Sequence, residues 1–295
     1  MNLDVEKIKP LVESALKEDI GEGDITSRVL VPSECEAKGV IIAEERGIIA
    51  GIPVAELVFK ILGSRLRFKA YVSDGDRVDK GKRIAEISGE AGAMLAGERV
   101  ALNFLGHLSG IATKTGSFVE KTSGLNVKIM DTRKTLPGLR MLEKYAVGIG
   151  GGYNHRMGLY DAVLIKDNHI ELAGEKIGDM VKKVRSGVSP SVKIEVEAGD
   201  FSELREALIG SPDIIMLDNM TVDEVKEAVD IVRESGCEVL LEVSGGIKLG
   251  NVREYAETGV DTISVGELTH SVQSLDISME MGPCKNAECG FRNEE

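Results

Sequence analysis

The sequence predicts an α/β protein whose larger, C-terminal part is a closed or nearly closed parallel α/β barrel. Three observations predict it. The 295-residue chain changes rhythm near residue 108. Beyond that point, short and almost wholly apolar runs recur, separated in the later part by helical patterns. Each run stops at charged residues or glycine. Strands apolar on both faces, alternating with amphipathic helices, belong to a parallel sheet with crossover helices. An open doubly wound sheet is the structural alternative. No G-x-G-x-x-G fingerprint follows the first strand, which favours the barrel.

The elements follow in order. Leu3, Val5, Ile8, Leu11, Val12 and Leu16 fit one side of a helix, interrupted at Pro10. Extended apolar runs come next: "AKGVIIAEE", "GIIAGI" and "LRFKAYV". The D-G-D-x-V-x-x-G spacing within "SDGDRVDKGKRIAEISG" is a turn-rich, β-type signature. From Ala91 to about Ser109, Met94, Leu95, Val100, Leu102, Leu105 and Leu108 fall at helical spacing. The apolar runs are then "NVKIMDT" (126–132), "DAVLIKD" (161–167), "SVKIEVEA" (191–198), "PDIIMLDN" (212–219), "CEVLLEVSGG" (237–246) and "VDTISVGE" (260–267). "FSELREALIG" and "TVDEVKEAVDIVRESG" are the clearest helices between them. The expected domains are residues 1–108, joined by a C-terminal return over 270–295, and a barrel over 109–269.

Composition narrows the function. The formal net charge is −13, so nucleic-acid binding through bulk charge is excluded. Any anion site must be local. The N-terminus lacks a basic start and a continuous apolar region, and no uncharged run is long enough to span a membrane. A cytoplasmic protein without membrane contact is expected. Cys35, Cys237, Cys284 and Cys289 form no C-x-x-C pair. Cys35 and Cys237 read as small hydrophobes. The pair in the polar tail has no further ligands nearby in sequence.

The strand ends carry the chemistry. They read Asp131-Thr132-Arg133-Lys134, Lys166-Asp167-Asn168, Asp218-Asn219, Ser244-Gly245-Gly246 and Gly266-Glu267. Glu195 lies inside its strand and Glu197 follows on the same side. In parallel barrels the C-terminal strand ends form the active face. Arg133, Lys134 and Arg156, with Lys166 and His155, are the cations; Glu195 and Asp218 are the opposing carboxylates. Arg grasps carboxylate or phosphate with two bonds, while Lys is a point charge. Glycine turns at Ser244-Gly245-Gly246 and Gly266 offer backbone N–H groups to phosphate. Two carboxylates facing a polyphosphate suit Mg²⁺. The pattern points to two anions, one a phosphorylated molecule with Mg²⁺ and one a small carboxylate. Gly148, Gly150, Gly151 and Gly152, ahead of His155-Arg156, suit a loop that brings backbone close to a ligand.

The motifs "EDIGEGDITS", "GERVALNFL", "DTRKTLPGLR", "GGGYNHRMGLYDAVLIKDNHI", "IEVEA", "IMLDNM", "EVSGGI" and "SVGELTHS" occur in order between about residues 10 and 278. Together they resemble the quinolinate phosphoribosyltransferase family, and the tail after about Met281 lies outside the likeness. The resemblance implies an N-terminal α/β sandwich plus an open α/β barrel of the type II phosphoribosyltransferase kind. It implies transfer of phosphoribose from phosphoribosyl pyrophosphate (PRPP) to the quinolinate nitrogen. Pyrophosphate and CO₂ are released, and nicotinate mononucleotide enters NAD synthesis. It further implies a homodimer in which each barrel mouth is completed by Arg99 of the partner.

Residue by residue, Arg133, Lys134, His155 and Arg156 match quinolinate-binding cations, and Lys166 a lysine near both substrates. Glu195 and Asp218 match acids at the ribose and Mg²⁺ end, with Glu197 an alternative to Glu195. Ser244, Gly245, Gly246 and Gly266 match phosphate-binding turns. Lys134, Lys166, Glu195 and Asp218 are the expected catalytic set, and Lys166 a candidate proton donor. Arg140, beyond Pro137-Gly138, is expected to support the loop or the dimer. The nearest rival is a phosphoribosyltransferase of the same fold acting on nicotinate or another carboxylated acceptor, such as a molybdenum-associated paralogue. A carrier domain around Lys80 and Lys82 is the rival from another class, and its carrier-lysine context is missing.

Overall fold

The computed structural model describes residues 3–282, so Cys284 and Cys289 lie outside the described residues. The chain divides into two compact units. One holds the chain up to Lys114, Gly148–Gly150 and the chain from Val272; the other holds Thr115–Val147 and Gly151–Ser271.

The first unit begins with helix α1 (Val5–Ile20), which buries Ile8, Val12 and Leu16. Pro10 lies within α1 rather than ending it. Six-residue α2 (Ile25–Leu30) starts at Asp24, whose carboxylate accepts the N–H groups of Thr26 and Ser27. Then come β1 (Glu36–Ala43), β2 (Gly47–Ile48), α3 (Ile52–Leu62), β3 (Arg67–Ala70), β4 (Arg77–Val78) and β5 (Arg83–Glu90). The D-G-D turn has a second task. Asp74 accepts the N–H groups of Gly51 and Ile52 at 2.9 Å and so caps α3 from a distance.

Helix α4 (Ala91–Lys121) runs past the boundary expected at 108/109. Gly110, which reads as a stop, is instead a point of close approach: a Cβ there would lie 2.2 Å from the Gln273 carbonyl.

The second unit carries β6 (Lys128–Met130), α5 (Arg140–Ile149), β7 (Val163–Ile165), α6 (Asp167–Ala173), α7 (Ile177–Gly187), β8 (Ile194–Ala198), α8 (Phe201–Gly210), β9 (Ile214–Asp218), α9 (Val222–Ser235), β10 (Leu240–Ser244), α10 (Val252–Ala256), β11 (Thr262–Ser264) and α11 (Glu267–His270). Every strand falls inside one of the apolar runs. The parallel sheet has the order β6-β11-β10-β9-β8-β7. The first strand pairs with the last, which is the cyclic order of a barrel and not of a doubly wound sheet. The ring is open between β6 and β7. Tyr153 fills part of that gap: its N–H donates to Ile129, and its carbonyl accepts the Asp131 N–H.

The last described strand is β12 (Ile277–Met281), in the first unit and antiparallel to β1. The resulting sheet has the order β12-β1-β5-β3. Burial alternates along β1, the pattern of a sheet with one covered face. Cys35 is buried and disulfide-bonded, and Cys237 is an exposed free thiol; neither is the plain core hydrophobe expected from sequence. No helix among the described residues is long and apolar enough to cross a membrane.

Candidate active site

The C-terminal strand ends of the second unit surround a cavity of ≈ 680 Å³. Arg133, Lys134, His155, Arg156, Lys166, Asp218, Ser244, Gly245, Gly246 and Gly266 all line it. Glu195 and Arg99 do not. Arg99 is an exposed residue of α4 in the first unit.

The placement of Glu195 corrects the expectation. It is only 3 % exposed and sits beneath the cavity, with Oε2 2.9 Å from His155 Nε2. Glu197 lines the wall instead and pairs with Lys166 Nζ. The two glutamates share one face of β8, but two residues along a strand move a side chain about 6.6 Å toward the mouth. Asp218 and Glu197 are therefore the cavity's carboxylates from β9 and β8, and Asp167 and Glu267 join them on the lining. An oxygen-only set of this kind suits Mg²⁺ shared with substrate phosphates. Of the two acids expected at the ribose and Mg²⁺ end, Asp218 lines the cavity and Glu195 does not.

On the cation side, burial and the neighbouring Arg133 charge lower the Arg156 pKa, against the pull of Glu195, Asp161 and Glu197. Arg156 spends one N–H on the Ala162 carbonyl at 3.1 Å. Arg133 Nε is buried with no partner among the described atoms. Two guanidinium groups that repel one another, one with an unmet donor, form a site charged in advance for an anion. Arg140 staples the loop as expected: it donates to Thr135 Oγ1 at 3.0 Å and to the Met157 carbonyl at 3.1 Å.

His155 lines the cavity, and the protein also holds its ring. Its Nδ1 accepts the Arg156 N–H at 2.8 Å, and its Nε2 faces Glu195. Both ring nitrogens are thus engaged by the protein. The same segment is held from below by a buried ion pair. Lys144 and Asp131 are both fully buried and bonded to each other. Asp131 also accepts the His155 N–H at 2.9 Å, and Lys144 donates to the His155 carbonyl at 3.0 Å. Burial pushes the Asp131 carboxyl up and the Lys144 amine down, and each partner opposes the other's shift.

The glycines make room for side chains. Asn219 has φ +58°, and its Nδ2 donates to Asp218 Oδ2 at 2.7 Å. A Cβ on Gly245, itself at φ +92°, would lie 2.2 Å from Asn219 Oδ1. Gly245 thus admits the asparagine that braces Asp218. A Cβ on Gly266 would lie 3.0 Å from Lys134 Cδ, and Thr269 Oγ1 donates to the Lys134 carbonyl at 2.7 Å.

Lys248 and His270 also line the cavity and were not singled out from sequence. Their signal was position: each lies a few residues past a strand end already recognised.

Two family models match the chain: Quinolinate phosphoribosyl transferase, N-terminal domain, over residues 24–109, and its C-terminal domain, over residues 111–280. The chain is 46% identical over 276 residues to the probable nicotinate-nucleotide pyrophosphorylase [carboxylating] of Bacillus subtilis, covering 93% of each chain. It is 45% identical to the protein of the same name from Methanocaldococcus jannaschii, covering 92% of this chain and 96% of the other. The crystal structure of nicotinate-nucleotide pyrophosphorylase from Ehrlichia chaffeensis superposes with a TM-score of 0.89 at 41% identity, covering 96% of this chain and all of that one.

Proposed function

We propose, for a chain that belongs to the quinolinate phosphoribosyltransferase family, how its own side chains perform the family reaction. The reaction transfers phosphoribose from PRPP to quinolinate and releases CO₂ and pyrophosphate, giving nicotinate mononucleotide for NAD synthesis. The observation that carries the residue assignment is the cluster of Arg133, Lys134 and Arg156 on one cavity wall opposite Glu197 and Asp218.

Quinolinate brings two adjacent carboxylates. Taking them out of water needs about two compensating charges. Arg133, Arg156 and Lys134 supply them, and a one-carboxylate acceptor would leave part of that charge unmet. The Ser244-Gly245-Gly246 turn and Gly266 receive the phosphates of PRPP through backbone N–H groups. Asp218 and Glu197 hold the ribose and Mg²⁺ end, and the ion would neutralise the departing pyrophosphate. No covalent nucleophile is needed. The quinolinate nitrogen bonds to C1′ of the ribose as the C1′–O bond to pyrophosphate breaks. Positioning and charge stabilisation carry the rate. The pyridinium nitrogen then accepts the electron pair left at C2 as CO₂ departs. Lys166, held at the wall by Glu197, is the residue assigned to protonate C2.

The same proposal includes a cytoplasmic homodimer in which Arg99 enters the partner's site. Exposed apolar side chains support an interface: Ile25, Val29 and Leu30 on α2, and Leu159, Tyr160 and Leu172 in the second unit.

Purified protein given quinolinate, PRPP and Mg²⁺ is expected to release CO₂ and pyrophosphate, and nicotinate is expected to be a poor substitute. Absence of release, or equal use of nicotinate, overturns the reading. Lys134→Ala is expected to lower kcat/KM by far more than about tenfold, or 1.4 kcal/mol, with the fold intact by circular dichroism. Mixing Arg99→Ala with Lys134→Ala subunits tests the shared site: restored activity supports it, and none counts against it.

A further inference from the structure

At the cavity floor, three ionisable groups from three segments meet: His155, which lines the cavity, and two glutamates buried beneath it. His155 enters from the segment after α5, Glu195 from β8 and Glu242 from β10. One ligand-type atom of each lies within 4.8 Å of the others. His155 Nε2 is 2.9 Å from Glu195 Oε2 and 3.7 Å from Glu242 Oε1. Glu242 is 1 % exposed. From β11, Thr262 donates to Glu242 Oε2 at 3.2 Å, and the Ser264 hydroxyl is close by. Glu195 Oε1 and Glu242 Oε1 are both buried without a hydrogen-bond partner.

A metal ion is the first occupant to consider, since a histidine and two carboxylates are common ligands. The ring geometry argues against it. Nδ1 already uses its lone pair to accept the Arg156 N–H. An ion on Nε2 would then require the imidazolate form.

A proton has no such difficulty. The single ring hydrogen sits on Nε2 and is donated to Glu195, which fixes Glu195 as the acceptor. Two ionised carboxylates this close, in a dry interior with one neutral imidazole between them, repel strongly. One more proton is needed. It cannot go to Nδ1 without pointing two N–H groups at each other, so it belongs on a carboxyl. Glu242 has the orphaned oxygen to carry it. Burial, with Glu195 second, pushes the Glu242 carboxyl up to about 7. Burial lowers the His155 pKa, but Glu195 and Glu242 outweigh it and the net shift is upward; because Nδ1 already accepts the Arg156 N–H, the added proton is placed on Glu242 instead.

We propose that Glu242 is a positioning residue that holds a proton under the cavity floor, keeping His155 as the Nε2–H imidazole and keeping a second negative charge away from the dianionic acceptor. This rests on the placement of quinolinate at the Arg133 and Arg156 wall. When Glu242 loses its proton, the cluster gains one negative charge beneath that wall and acceptor binding weakens.

The test has two arms, and the first needs no substrate. Infrared spectra of the intact protein are expected to show a protonated-carboxyl band near neutral pH that disappears as pH rises and is missing in Glu242→Gln. Absence of that band from the wild type, or its survival in Glu242→Gln, overturns the proposal, as does a tightly bound transition metal retained through chelation. The second arm is steady-state kinetics. KM for quinolinate is expected to rise at least about threefold between pH 7 and 8.5 in the wild type, with kcat changing less, and to stay level in Glu242→Gln. Parallel pH profiles in the two proteins overturn it. An enzyme inactive with quinolinate that still shows the band sinks the substrate reading and spares the proton assignment.

Discussion

Two buried polar groups hold the same residue, His155, and they are built on opposite plans. Asp131 and Lys144 balance one another, and their bonds to the backbone of His155 leave no excess charge. The Glu195, His155 and Glu242 group has one carboxylate too many and two oxygens without partners. The first is an anchor, because a satisfied network rigidifies what it holds. The second is poised, because a change of one proton alters its charge. The cavity wall at His155 and Arg156 is therefore fixed from one side and carries a titratable group on the other.

The largest effect should come from the anchor. Lys144→Met leaves Asp131 buried and uncompensated, and a loss of about 3–5 kcal/mol in unfolding free energy is expected by denaturant titration. Glu242→Gln should behave in the opposite way. The folded-state pKa of Glu242 is raised from 4.5 to about 7, so its stability contribution is fully present below pH 4.5 and lost as pH rises through 7. The variant should match the wild type near pH 5 and exceed it in stability at pH 8. Equal destabilisation by both substitutions would erase the contrast between anchor and poised group.

Gly245→Ala tests the mouth of the cavity. The new Cβ meets Asn219, and φ +92° adds about 1–2 kcal/mol of strain. A rise in KM for PRPP is expected, larger than any change in KM for quinolinate. The smallest effect belongs to a third acid, far more exposed. Burial raises the Asp213 carboxyl, but bonds from Arg185 at 2.5 Å and Lys193 at 2.8 Å outweigh it and hold the pKa at about 2. Its contribution is present above pH 3.8 and lost as pH falls toward 2. Asp213→Asn should cost only about 1 kcal/mol at pH 7, because the pair is partly solvated.

Much of this was legible in the sequence. Parallel strands are apolar on both faces, so all six announced themselves, and the cations at their ends marked the cavity. Depth along a strand was not legible. Glu195 and Glu197 share a face, and the alternation that places them there says nothing of which reaches the ligand. The burial of Lys144 was not legible, because its partner lies thirteen positions earlier, outside its helix. Glu242 carried a usable signal, a charge inside a core run of the same kind that drew attention to Glu195. The length of α4 was hidden because Gly106 and Gly110 look like breaks; each is a glycine because neighbouring backbone passes too close for a Cβ.

The gap between β6 and β7 has a mechanical consequence. In a ring closed by ladders all round, widening one sector means breaking strand pairs. Here no ladder joins β6 to β7, and the Tyr153 segment lies along the β6 edge with its few bonds to Ile129 and Asp131. That segment leads directly into His155 and Arg156. The seam of the ring and the arginine wall of the cavity are thus one piece of chain, and the Asp131–Lys144 anchor beneath it does locally what a strand ladder does elsewhere in the sheet.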